Sequence, residues 1–135
     1  MRKILVGFDG SEGSEKALNR AITLIDEYGS LILLAVIPTP KIKSFVDADA
    51  YKNLRKKAEN LISDTIKDLG EQSYDINGLV EEGDAAAKII DVANRLNVDL
   101  IVLGSQGESE LGQYLLGSVA NKVVQYAHKP VMVVR

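Results

Sequence analysis

Apolar positions along the chain follow two alternating rhythms. Runs dominated by β-branched and apolar residues span Lys3 to Phe8, Leu31 to Ile37, Asp99 to Leu103 and Val131 to Val134, each of strand length and bounded by turn residues. Between them, apolar residues recur three and four positions apart. The sets are Ala17, Leu18, Ala21, Ile22, Ile25, Tyr28; Leu54, Ala58, Leu61, Ile62, Thr65, Leu69; Ala85, Ala86, Ile89, Ile90, Ala93, Leu96; and Val119, Ala120, Val123, Val124, Ala127. That spacing predicts helices with one apolar face. A weaker run, Tyr74, Ile76, Leu79 and Val80, predicts a third strand nearer a sheet edge. The nearly uninterrupted Leu31–Ile37 run predicts a central strand covered on both faces.

Local punctuation agrees with these elements. Ser11 or Ser14 caps the first helix and Gly29 closes it; Gly70 closes the second. Glu81-Glu82-Gly83-Asp84 reads as a turn, with Asp84 capping the third helix. Pro38 and Pro40 stop any regular element, and residues 38 to about 50 read as a mobile loop or a frayed lead into a helix that is clear by Tyr51. Strands alternating with helices at this spacing mean an α/β protein: a single domain with a doubly wound parallel sheet and right-handed crossovers. Ligands of such sheets sit beyond the carboxyl ends of strands, where the strand order reverses. Two strand ends carry suitable chemistry, Asp9-Gly10-Ser11 after the first and Gly104 onward after the fourth. If these strands are neighbours, both loops line one cleft.

Composition narrows the function. The chain has 135 residues, 46% hydrophobic and 26% charged, which suits one globular domain with a full core. A net charge of -3 argues against a nucleic-acid or anionic-membrane surface. The absence of cysteine removes disulfides, thiolate catalysis and thiolate metal sites. Met1-Arg2-Lys3 and Ile4-Leu5-Val6 reach Gly7 and Asp9 too soon for a signal peptide, and no apolar run approaches the roughly 20 residues of a membrane span. A cytoplasmic protein is expected.

The most informative stretch is Gly104-Ser105-Gln106-Gly107, followed after nine residues by Gly117-Ser118. It lies between a strand and the opening of a helix, where glycines let the backbone approach an anion and the helix start offers free N–H groups. Ser118 can cap that helix or turn its hydroxyl toward a phosphate. It is neither a Walker A loop nor the Gly-x-Gly-x-x-Gly fingerprint. The bland alternative is that the glycines only make turns and a helix cap. Elsewhere the bland readings prevail. His128 is a helix-end or surface residue, and Lys52, Arg55, Lys56 and Lys57 form a solvated face. Glu81-Glu82 and Asp47-Asp49 are solvated pairs, and Ser11 lacks a base to act as a nucleophile.

Taken together, Ile4-Leu5-Val6-Gly7-Phe8-Asp9-Gly10-Ser11, Glu82-Gly83-Asp84 and the run from Gly104 through Gly117-Ser118 to Pro130-Val131-Met132-Val133-Val134 resemble the universal stress protein family along the whole chain. The Gly-2x-Gly-9x-Gly-Ser spacing resembles the signature of its ATP-binding branch. That resemblance implies a five-stranded sheet in order 3-2-1-4-5 of the adenine nucleotide alpha hydrolase-like type, with dimerisation through the last strand. ATP, or AMP or ADP, would lie across the first and fourth strand ends, with Mg²⁺ held through the phosphates. Asp9, with Gly10 and Ser11, would meet the adenosine part and Val36 the adenine. Gly104, Ser105, Gly107, Gly117, Ser118 and Val119 would contact ribose or phosphates. One departure is that many relatives carry histidine or arginine between the first two glycines and basic residues just beyond. Here Gln106, Glu108 and Glu110 stand instead. The reading that follows is a nucleotide-dependent regulatory module of the stress response, with slow or no ATP turnover and an unidentified protein partner. The alternatives are a weak ATPase or adenylyl-transfer enzyme, and a dimeric scaffold that binds no nucleotide.

Overall fold

The computed structural model describes residues 1–105 and 116–135, in which five strands alternate with four helices. In chain order these are β1 (Lys3–Gly7), α1 (Glu12–Leu24), β2 (Ser30–Ile37), α2 (Phe45–Leu69), β3 (Asp75–Glu82), α3 (Ala85–Leu96), β4 (Leu100–Gly104), α4 (Ser118–Tyr126) and β5 (Val131–Val134). All neighbouring strands are parallel, in the order β3-β2-β1-β4-β5. The chain therefore builds outward from β1 to β3, then returns to place β4 on the other side of β1.

Strand parity divides the core in two. Ile4, Val6, Leu31, Leu33, Leu100 and Val102 point to one face and meet Ala17, Leu18 and Ala21 of α1 and Ile62 of α2. Leu5, Ile32, Leu34, Ile101 and Leu103 point to the other and meet Ala86, Ile89, Val92 and Ala93 of α3 and Ala120 and Val123 of α4. Burial on both sides is why β2 shows no period of two in its sequence, as expected of a central parallel strand. β3 and β5 form the edges, and every residue of β5 stays partly exposed.

Several boundaries differ from the sequence reading, each for a tertiary reason. α1 stops at Leu24, so Tyr28 is not on its apolar face: it takes a left-handed backbone (φ 63°) and is 77% exposed. The chain is diverted there because the Asp26 amide donates to the Met1 carbonyl at 2.8 Å and its carboxylate holds the N-terminal ammonium at 2.7 Å. Gly29 does not close the helix. It lies where a side chain would sit 2.9 Å from the carbonyls of Arg2 and Asp26. α2 begins at Phe45, not near Tyr51, because Ser44 caps it by accepting the Asp47 amide at 3.2 Å while the Asp47 carboxylate accepts the Lys43 amide at 3.1 Å. Leu54 remains exposed, and Glu81 and Glu82 are strand residues paired with Val36 and Ile37, leaving Gly83 and Asp84 to turn. Nor are those two carboxylates simply solvated: Arg95 donates to Glu81 at 2.5 Å and the Tyr51 hydroxyl donates to Glu82. Asp84 caps α3 as expected, accepting the Ala87 amide at 3.0 Å. No helix among the described residues is long and apolar enough to cross a membrane.

One polar group sits badly in this core. The Tyr74 hydroxyl is buried and has no hydrogen-bond partner among the described residues. Leaving such a group unpaired costs about 1–3 kcal/mol. Tyr74→Phe removes the orphan without changing the ring, so it is expected to stabilise the fold by about 1 kcal/mol in urea or thermal unfolding. A loss of stability would mean that the hydroxyl is bonded in solution.

Candidate functional site

β1 and β4 lie side by side, with Ile4, Leu5 and Val6 in register with Leu100, Ile101 and Val102. Beyond these pairs the chain leaves toward opposite faces, to α1 from β1 and toward α4 from β4. A cleft opens between the two departures, as the physics of the strand reversal requires.

The β1 side is held by a compact set of local bonds. The Asp9 carboxylate accepts the Ser11 amide at 2.9 Å, and Ser11 caps α1 by accepting the Ser14 amide at 3.3 Å. The Ser14 hydroxyl donates to the Ser11 carbonyl at 3.0 Å and accepts the Asp9 amide at 3.3 Å. Gly10 between them has φ +83°, a conformation that L side chains rarely adopt. Partial burial pushes the Asp9 carboxyl up, but hydrogen bonds from Ser11, Ser14 and its own amide outweigh this and hold it below its ordinary 3.8. Asp9 is thus a fixed negative charge at neutral pH.

The β4 side is built by close approach. A side chain on Gly104 would lie 2.7 Å from the backbone carbon and oxygen of Gly13, so the end of β4 packs directly against the first turn of α1. Its lack of a side chain therefore has a packing cause, where the sequence pointed to anion binding. Ser105 is buried, its amide donating to the Val134 carbonyl at 2.8 Å and its carbonyl accepting the Gly117 amide at 2.6 Å. It ties β5 and the start of α4 to the end of β4. Gly117, not Ser118, is the cap residue of α4 and supplies no side-chain hydrogen bond; Ser118 is the first helical residue. Gly117 therefore brings no side-chain cap to the opening amides of α4, and Gly117 and Ser118 line the cleft.

The cleft has a volume of about 210 Å³. Leu34, Val36, Ile89 and Leu103 form an apolar wall, while Asp9, Ser11, Ser14, Gly117 and Ser118 supply polar groups. Of the residues singled out from the sequence, Asp9, Ser11, Val36, Gly104, Gly117, Ser118 and Val119 come together here. Gly10 and Ser105 are not part of the lining: Gly10 faces Leu61 of α2, and Ser105 acts behind the wall. Gly107 lies outside the described residues, as do Gln106, Glu108 and Glu110. Sequence reasoning missed Ser14, Leu34 and Ile89. Strand parity could have found Leu34, two residues from Val36 on the same face, but Ile89 is set by how α3 crosses the sheet. His128 is exposed and outside the lining. Among the described residues, no three His, Cys, Asp or Glu side chains group closely enough to hold a metal ion.

Chemically, the cleft offers an apolar wall on one side and the start of a helix on the other. It suits a ligand with an aromatic ring and an anionic tail.

Comparisons with known proteins agree with this architecture. A model of the "Universal stress protein family" matches residues 1–135. Universal stress protein YxiE of Bacillus subtilis is 31% identical, with 98% of each chain covered. The solved structure of MJ0577, a universal stress protein of Methanocaldococcus jannaschii, superposes with a TM-score of 0.87 at 32% identity, over 98% of this chain and 94% of that one. A universal stress protein family member from Arabidopsis thaliana, solved with AMP bound, shares the fold with a TM-score of 0.68 at 16% identity, over 99% and 91% of the chains.

The Gly104–Gly13 contact has a measurable consequence. Gly104→Ala forces backbone against backbone, where no flexible side chain can yield, and is expected to destabilise the protein by about 1–3 kcal/mol in chemical unfolding. An unchanged midpoint would mean that α1 and β4 are not held this closely.

Proposed function

The chain belongs to the universal stress protein family, and we propose that it is an adenine-nucleotide-binding regulatory member in which occupancy of the cleft, with slow or no turnover, carries the signal. The observation that carries this reading is the pairing of the glycine-capped start of α4 with the apolar wall at Val36 across one cleft. ATP fits both halves: the adenine against Val36 and Leu34, the phosphates toward the Ser118 and Val119 amides, and Asp9 toward the adenosine hydroxyls. Mg²⁺ would enter on the phosphates, since they are its preferred hard oxygen ligands. The AMP-bound Arabidopsis structure supports adenine nucleotide in this fold. The described lining contains no histidine, lysine or arginine to act on a γ-phosphate, which favours binding over turnover.

A dimer is proposed alongside. β5 is a short, apolar, partly exposed edge strand, and an unpaired edge of this kind is satisfied by a second copy.

Calorimetric titration of nucleotide-free protein with ATP and Mg²⁺ is expected to show one saturable site. Ser118→Glu places a carboxylate where the phosphates lie while favouring the helix dipole, so it is expected to weaken ATP at least about tenfold without loss of stability. No binding at millimolar ATP would overturn the proposal and leave a scaffold role. Sedimentation at micromolar concentration is expected to give twice the 14.7 kDa chain mass; a monomer would exclude the β5 dimer.

A further inference from the structure

A second groove, of about 340 Å³, lies between α1 and the end of β5, away from the nucleotide cleft and sharing none of its lining residues. Its lining is Lys16, Asn19, Arg20, Thr23, Val134 and Arg135. Lys16, Arg20 and Thr23 recur at helical spacing and so form one stripe of α1, with Asn19 beside it. Arg135 closes the groove from the strand side. Three of the six lining residues have cationic side chains and none an acidic one, while Arg135, the last residue, also bears the terminal carboxylate.

The cationic side chains have few acidic side-chain partners. Among the described residues, Lys16 pairs only with the exposed Glu12, at 3.6 Å, and neither Arg20 nor Arg135 enters a side-chain ion pair. Like charges drawn around one groove repel each other unless a counter-ion sits among them. Two guanidinium forks and an ammonium match the oxygens of a multiply charged oxyanion, and the Asn19 amide adds a neutral donor.

We propose that this groove is a second ligand site, for a small multiply charged oxyanion. Its chemistry is distinct from that of the cleft, because it offers side-chain cations and no apolar wall for a ring. It stands whether or not the cleft binds ATP.

The test is an NMR titration of the ¹⁵N-labelled protein with pyrophosphate at constant ionic strength, without nucleotide, and a parallel titration with citrate. Amide signals of Asn19, Arg20, Thr23, Val134 and Arg135 are expected to shift saturably. Arg20→Gln, a substitution on the helix surface, is expected to weaken binding at least about tenfold, with Lys16→Gln as a second variant. Saturation by pyrophosphate alone would assign a phosphate-bearing ligand, and saturation by both a general oxyanion site. Linear shifts, shifts confined to the cleft amides, or shifts unchanged in both variants would overturn the proposal.

Discussion

The structure depends on the parallel pairing of β1 with β4. Every other strand is added to one side or the other of this pair, and the reversal of strand order happens across it. Because crossovers between parallel strands are right-handed, the connections leaving β1 and β4 must part to opposite faces. The cleft is the space left by that parting. The pairing is secured at its lower end by Asp99, whose carboxylate accepts the backbone amides of Arg2 and Lys3 at 3.0 and 2.9 Å. At its upper end the bare backbone of Gly104 lies against Gly13. Between these points the strands are wholly buried, so the cleft stands on the least deformable part of the core.

On that frame the two sides of the cleft are made by different means. The β1 loop is rigid through short-range hydrogen bonds among Asp9, Ser11 and Ser14, all within one turn of sequence. The β4 side is held by long-range contacts, with Ser105 bridging Val134 of the edge strand to Gly117 at the head of α4. A change at the β5 edge therefore has a path of two hydrogen bonds to the helix start that lines the cleft. Having glycine rather than serine as the cap residue of α4 leaves its opening amides to be satisfied by something other than the cap residue's own side chain.

Most of the architecture was legible in the order of apolar positions. Strand-length runs alternating with helical spacing admit few arrangements once crossovers are right-handed, and the resemblance to a known family supplied the strand order 3-2-1-4-5. Errors clustered where a distant part of the chain decides a local outcome. α1 looked as though it ran to Tyr28 because the spacing continues, but Met1 captures Asp26 and the helix ends four residues earlier. The stretch after Pro40 looked irregular because its apolar residues are exposed rather than periodic toward the core. Its helix is set by Ser44 and Asp47, a capping pair overlooked beside two prolines.

The candidate site divides in the same way. By itself, the sequence determined that Asp9, Ser11, Gly104, Gly117 and Ser118 stand at strand ends and helix starts, because residue type and spacing dictate those local conformations. It also determined that Val36 lies on an apolar strand, one residue before its end. Only the tertiary structure decided that these residues share one cleft with Ser14, Leu34 and Ile89, that Ser105 stands behind the wall and that Gly10 turns toward α2. The physical reason is that spacing fixes what a residue can do within its own turn. Which groups face each other across a cleft depends on strand register and helix crossing, and those are settled by packing the whole core.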